Sequence, residues 1–428
     1  MDSDRIGPKA LPILSSVVPL LSLTTESTLG LLVEAVDGLL STIEKETLTT
    51  DLVVQLSSVI LPVWEKNIND PLLSSQLDDL FVTLSKLSPS VHTALVNVSV
   101  SPLVSAVSRA LPGQTSDDDI DARLLASSAL QLINSIVGAR AQGLEPGVLD
   151  STCPALFSIL EASDDRSLVQ DGIELLTTFI RKDIQGLLEW NNDTLVRILN
   201  VIAKLLSTAE SEGSALFIGD VITQLFRNVP KEILDPALPQ LLKVVLDRLA
   251  LSKTSAFTQN LVIPFAYLIH TRREIMLDYL ANTAVLDATT NQMVNGLEIL
   301  LRMWSENAET FRGFWAIRIS TLALVDLYTS QDPRLESIFV KGDQIFDEAN
   351  KNTIMTRSKT RNQPISFTSI NFPLKAVKLI LNELQNAGTS AAKSNVLKDV
   401  DEDDEDDDWE DDDPLGGADD DIHFLSGG

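Results

Sequence analysis

The sequence is poor in most of the residues that catalysis, metal binding and membrane insertion require. It has one cysteine, three histidines and 22 aromatic residues among 428. A lone Cys153 forms no internal disulfide, which fits a reducing compartment. It precedes Pro154 and the run Ala155-Leu156-Phe157, so it reads as a buried structural thiol. His92, His270 and His423 stand in separate segments without metal-ligand spacing. His270, inside FAYLIHTRRE, reads as a partly buried helix residue rather than a base. No HExxH, CxxC or GxSxG motif occurs, and no phosphate-loop or dinucleotide glycine pattern, so no cofactor and no enzymatic activity is expected. No segment reaches the ~20 uninterrupted apolar residues of a membrane span. The nearest, Leu11 to Leu23, is broken by two prolines and three serines and follows an acid-containing segment, MDSDRIGPK; it reads as a soluble, intracellular helix. Bases are also scarce, 33 Lys and Arg against 61 Asp and Glu, for a net charge of −28. Direct nucleic-acid binding, which needs clustered Lys and Arg, is disfavoured, and a basic partner is favoured.

Leucine is abundant: 68 of the 428 residues, against 19 glycines. That composition favours helices over a β-sandwich or barrel. Amphipathic stretches recur in two interleaved series. Aligning Leu80, Leu130, Leu175 and Val221 in the first gives steps of 50, 45 and 46 residues. Aligning Ile159, Leu199, Val244 and Ile299 in the second gives 40, 45 and 55. Within Ala122 to Ala139 the apolar residues Leu125, Ala129, Leu132, Ile133, Ile136 and Val137 form one helical stripe. Asp119, Asp164 and Asp193 stand at or near helix starts, and Pro154 and Pro239 read as first-turn prolines. A single hairpin cannot bury its stripe alone, whereas stacked hairpins can. The expected fold is all-α, a HEAT/armadillo-type solenoid of helical hairpins over residues 1–340 with an acidic C-terminal tail.

The pattern changes further on. Residues 341–372 lack a sustained apolar stripe and contain the basic stretch TRSKTR, Thr356 to Arg361, so an irregular segment is expected. That stretch reads as a solvated loop, a localisation or phosphate-contacting patch, or an internal partner of the tail. A helix is expected over 373–388, ending at Gly388. Residues 389–428 then read as a linker and a tail too acidic to bury a core. Asp399 to Asp421 holds 16 acids and no base, which leaves the other 405 residues at −12.

Within the tail, the candidate contacts for a basic partner are Asp401, Glu402, Asp403, Asp404, Glu405, Asp406, Asp407, Asp408, Glu410, Asp411, Asp412 and Asp413, with Trp409 as an apolar anchor. The run lacks the glycine and terminal glutamate of a calcium loop, so it would hold divalent ions only loosely. The plainest alternative is a solvated tail that serves solubility. Trp409 argues for binding, because an indole gives a solvated tail nothing. Ile422, Phe424 and Leu425 repeat the acidic-then-apolar pattern.

The segment TRSKTRNQPISFTSINFPLKAVKLILNELQNA, Thr356 to Ala387, followed by the Trp-containing acidic run, resembles the C-terminal region of the importin-β (karyopherin) family, closest to its importin-nine branch. The resemblance implies a HEAT-repeat nuclear transport receptor moving between cytoplasm and nucleus. It implies basic cargo such as histones and ribosomal proteins, with GTP-bound Ran and phenylalanine-glycine nucleoporins as further partners. Family members are more than twice this length and continue past the acidic run, so the resemblance covers a C-terminal part. The rival reading is a cytoplasmic HEAT-repeat scaffold subunit for complex assembly. An enzyme with a site assembled across repeats is a second rival, for which the sequence offers no nucleophile or metal cluster.

Overall fold

The computed structural model describes residues 3–24, 26–43, 48–111, 119–140, 143–345 and 366–398. The Asp401–Asp413 run with Trp409, and the basic stretch Thr356–Arg361, lie outside the described residues. The chain divides into two compact units, one of residues 1–205 with 227–229, the other of residues 206–226 and 230–428.

The first unit is built from α1 (Ser3–Leu21), α2 (Glu26–Thr42), α3 (Thr50–Lys66), α4 (Pro71–Leu87), α5 (Pro89–Ser108), α6 (Ile120–Gly138), α7 (Val148–Ala162), α8 (Arg166–Trp190) and α9 (Thr194–Leu205). Odd-numbered helices pack on one another in one layer, α1 on α3, α3 on α5, α5 on α7 and α7 on α9. Even-numbered helices form the second layer, α2 on α4, α4 on α6 and α6 on α8. Each hairpin therefore buries its stripe against its own partner and the next hairpin, the arrangement expected of HEAT repeats. Leu80, Leu130 and Leu175 are all fully buried, so the first alignment marks equivalent core positions. In the second alignment Ile159 is buried but Leu199 is half-exposed, and the core position there is Ile198.

Local chemistry sets the helix starts. Asp70 accepts from the amides of Leu72 and Leu73, Asp119 from Ala122, and Asp165, rather than Asp164, from Leu168. Pro154 departs from expectation, lying inside α7 rather than in its first turn. The carbonyl it leaves without an i+4 donor belongs to Asp150, an exposed residue that water can reach. Residue Asp183 interrupts α8 with φ −156° and ψ 70°, and its carboxylate then caps the continuation through the amide of Gly186. Helix α5 has the length and mean hydropathy of a membrane span, but half of that window is buried against its neighbours.

The second unit contains α10 (Ile218–Asn228, whose last residues belong to the first unit), α11 (Lys231–Leu234), α12 (Leu238–Leu249), α13 (Ser255–Asn282), α14 (Gly296–Asn307), α15 (Phe314–Ser330), α16 (Pro333–Glu336) and α17 (Phe372–Lys398). Helix α12 packs on α13 and α14, α13 on α14 and α15, and α17 on α14 and α15. The tryptophans Trp304 and Trp315 and the phenylalanines Phe257, Phe265 and Phe372 fill its core.

Two antiparallel ribbons interrupt the helices. Strands β1 (Ala284–Asp287) and β2 (Gln292–Asn295) form a hairpin, and β3 (Phe339–Ile345) pairs with β4 (Ser366–Asn371) through a register irregularity between Lys341 and Gln344. Both ends of the segment expected to be irregular are thus paired strands. The helix expected over 373–388 begins at Phe372 and runs through Gly388 to Lys398, so the stop expected at Gly388 is not made. One glycine per ~27 residues of helix costs only about 1 kcal/mol, too little to end it.

Candidate functional site

In the first unit, acidic side chains collect on the second-layer helices. Helix α2 carries Glu34 and Asp37 and no base at all. Helix α4, packed against it, carries Asp78 and Asp79, with Lys86 in its last turn. Asp37 and Asp79 are close enough for their charges to interact. Burial pushes the Asp78 carboxyl up to about 7. The Nε1–H of buried Trp64 donates to it at 2.9 Å and opposes that rise, while Asp79 adds to it. Burial, and then Asp37, also raises Asp79. Further along the layer, Asp171 and Glu174 on α8 are raised by burial as well, and Asp171 adds to the effect on Glu174. Ser127 and Gln131 of α6 donate to Asp171, the latter at 2.9 Å. Burial and like charge therefore leave this layer with carboxylates that a cationic partner would stabilise. Sequence reading singled out none of these six acids, because each sits on a helix dominated by its apolar stripe. A weak signal was available in the absence of any base from α2.

A second feature recurs once in each unit. Where the α1–α2 turn meets the C-terminal half of α3, a recess of about 920 Å³ is lined by Leu21, Leu29, Val59, Pro62 and Val63 among others. Where the α14–α15 turn meets the middle of α17, a recess of about 560 Å³ is lined by Phe311, Ile317, Leu324 and Leu379, with Glu309 and Arg312 at its polar side. Both lie between the turn joining two helices and a helix that follows them. The first is the more apolar.

The isolated sequence candidates are structural. Cys153 is fully buried, and burial pushes its thiol up to about 12. His270 Nδ1 lies 2.7 Å from Asp326 and joins α13 to α15. His92 is buried, with Nε2 3.0 Å from the Ile136 carbonyl, which makes that nitrogen the donor. Among the described residues no group of His, Cys, Asp and Glu is arranged to hold a metal ion.

Comparison with known proteins agrees with this architecture. The family profile described as "CAS/CSE protein, C-terminus" matches residues 131–338. Importin subunit beta-5 of Schizosaccharomyces pombe is 23% identical over 406 residues, covering 93% of this chain and 37% of that protein. Importin subunit beta-5 of Saccharomyces cerevisiae is 29% identical over 201 residues, 46% of this chain and 19% of that one. Importin-9 of Drosophila melanogaster is 23% identical over 342 residues, 78% and 32% respectively. The structure of the exportin Cse1 in its cargo-free, cytoplasmic state superposes with a TM-score of 0.55 over 77% of this chain and 34% of that one, at 15% identity, and bears on the fold alone. The chain spans about a third or less of the length of these relatives. Along nearly its whole length this chain of stacked helical hairpins is similar to importins, proteins of the importin-β (karyopherin) family.

Proposed function

We propose that this chain is a segment of a nuclear transport receptor that binds and shields basic cargo, histones or ribosomal proteins, by charge complementarity and without catalysis. The observation that carries the reading is the pairing of acidic Glu34 and Asp37 on α2 with Asp79 on α4, unrelieved by any base on α2. The Asp401–Asp413 run with Trp409 extends the same chemistry. A cationic partner relieves the mutual repulsion of such carboxylates and draws them back to the charged form. The apolar recess beside α3 has the size and lining to take a phenylalanine ring, which supports phenylalanine-glycine nucleoporins as partners. The likeness to importins supports GTP-bound Ran as a further partner, and movement between cytoplasm and nucleus.

Titration of the chain with a labelled histone dimer at low and high salt tests the cargo reading. Affinity should fall steeply with salt, because exposed charge pairs are screened within ~8 Å at physiological ionic strength. It should fall again when the acids of Asp401–Asp413 are replaced by Asn and Gln. Binding indifferent to both changes overturns the reading.

A further inference from the structure

Helix α17 carries more apolar surface than its unit covers. Phe372, Ala376 and Leu379 are buried on one side. Leu374, Leu381 and Leu384 are 48%, 51% and 61% exposed, and Val377 between them is half-buried. Positions 374, 377, 381 and 384 are spaced three, four and three apart, the a/d spacing of a seam that packs against a second apolar segment.

Charge indicates which segment. Residues 339–398 contain nine Lys and Arg against four Asp and Glu, a net +5 within a chain of net −28. Two of those bases, Lys375 and Lys378, lie on α17 next to the seam, and Lys378 pairs with Asp343 of β3 at 2.5 Å. The sequence then turns to 16 acids in residues 399–421, followed by Ile422, Phe424 and Leu425.

We propose that residues Asp419 to Leu425 of this chain dock on the leucine seam of α17, with Ile422, Phe424 and Leu425 against Leu374, Leu381 and Leu384 and the preceding acids beside Lys375 and Lys378. The tether suits the span. From Lys398 back to Leu381 is about 26 Å at ~1.5 Å per helical residue. The 24 residues from Lys398 to Ile422 reach at most about 80 Å, roughly three times that gap, so a tether extended by its like charges still spans it. A tether able to span the gap makes docking an intramolecular event, with an effective concentration set by its length and stiffness. Three apolar side chains and a few screened charge pairs then suffice for docking without a high intrinsic affinity.

The full chain with Leu384→Cys tests this. Cys153 is buried and its thiol unreactive at neutral pH, so a thiol reagent reports on position 384 alone. The reaction should be at least about tenfold slower than in the same chain with Phe424→Asp and Leu425→Asp, since a docked cover must open before the reagent enters. Equal rates overturn the docking. Protection that disappears on dilution assigns the cover to a second copy and overturns the intramolecular arrangement. Histone binding by the Phe424→Asp, Leu425→Asp chain separates the two readings: the cargo contact rests on 401–413 and survives the failure of the docking.

Discussion

Single residues decide how closely these helices approach. The amide of Gly219 on α10 donates to Asn260 Oδ1 of α13 at 2.6 Å, and a Cβ at 219 would lie 1.8 Å from the Asn260 carbonyl oxygen. No rotamer relieves a clash with backbone, so Gly219→Ala should cost about 2–4 kcal/mol, read as a lower urea midpoint with little change in slope. Asp78 makes a prediction with a sign. Its folded carboxyl sits at about 7 against 3.8 for a free aspartate side chain, so the native state binds a proton that the unfolded state has lost. Stability therefore declines as pH rises from about 4 through about 7 and is flat above. Asp78→Asn keeps an acceptor for Trp64 and removes the penalty. It should match the parent near pH 4 and exceed it at pH 8 by about 2 kcal/mol, allowing for the hydration the carboxylate retains. Identical pH profiles for the two proteins would exclude the burial argument.

At the scale of elements, polar contacts between hairpins fall at the repeat spacing itself. Lys182 of α8 donates to the Gly138 carbonyl at the end of α6, 44 positions back, at 2.9 Å. Lys204 of α9 does the same for the end of α7, reaching Leu160 and Ser163. Each places a cation on the negative end of the preceding helix of its layer. Lys182→Met should cost about 1 kcal/mol and speed amide exchange in the last turn of α6 more than elsewhere. The β1–β2 hairpin is held differently. Asp287, 1% exposed, takes both guanidinium nitrogens of Arg302 at 2.8 Å and the Thr289 amide at 2.9 Å. Arg302 holds the Asp287 carboxyl well below the usual carboxylate range, so this contribution is present at neutral pH and lost as acid protonates it. Arg302→Met leaves a buried charge unpaired and should cost about 3–5 kcal/mol by thermal unfolding, far more than Lys182→Met. The helices were legible because a 3.6-residue stripe repeats over many turns, as in Leu125 to Val137. The strands were not: β1 and β2 are four residues each, too short to establish alternation. The acidic face escaped for another reason, since only packing brings Asp37 of α2 beside Asp79 of α4.

For the whole molecule, charge is the quantity that sequence and structure distribute together. Sixteen acids stand in residues 399–421, a net +5 stands just before them, and the second-layer acids of α2 and α4 lie far away in sequence. The first two were visible in the string of residues; the third required the fold. If tail and face both engage a basic partner, their effects on binding separate by magnitude. Each exposed pair contributes ~0–1 kcal/mol, so neutralising Asp37 and Asp79 together should weaken histone binding by roughly threefold to tenfold. Replacing the twelve acids of Asp401–Asp413 removes many more such pairs and should weaken it far more, while flattening the dependence of affinity on salt. Combining the two sets should give additive free energies where face and tail meet separate parts of the cargo. Isothermal titration at two salt concentrations measures all four chains. A face variant that binds as tightly as the parent, with the tail variant fully impaired, would confine cargo contact to the tail and leave the acids of α2 and α4 without a part in it.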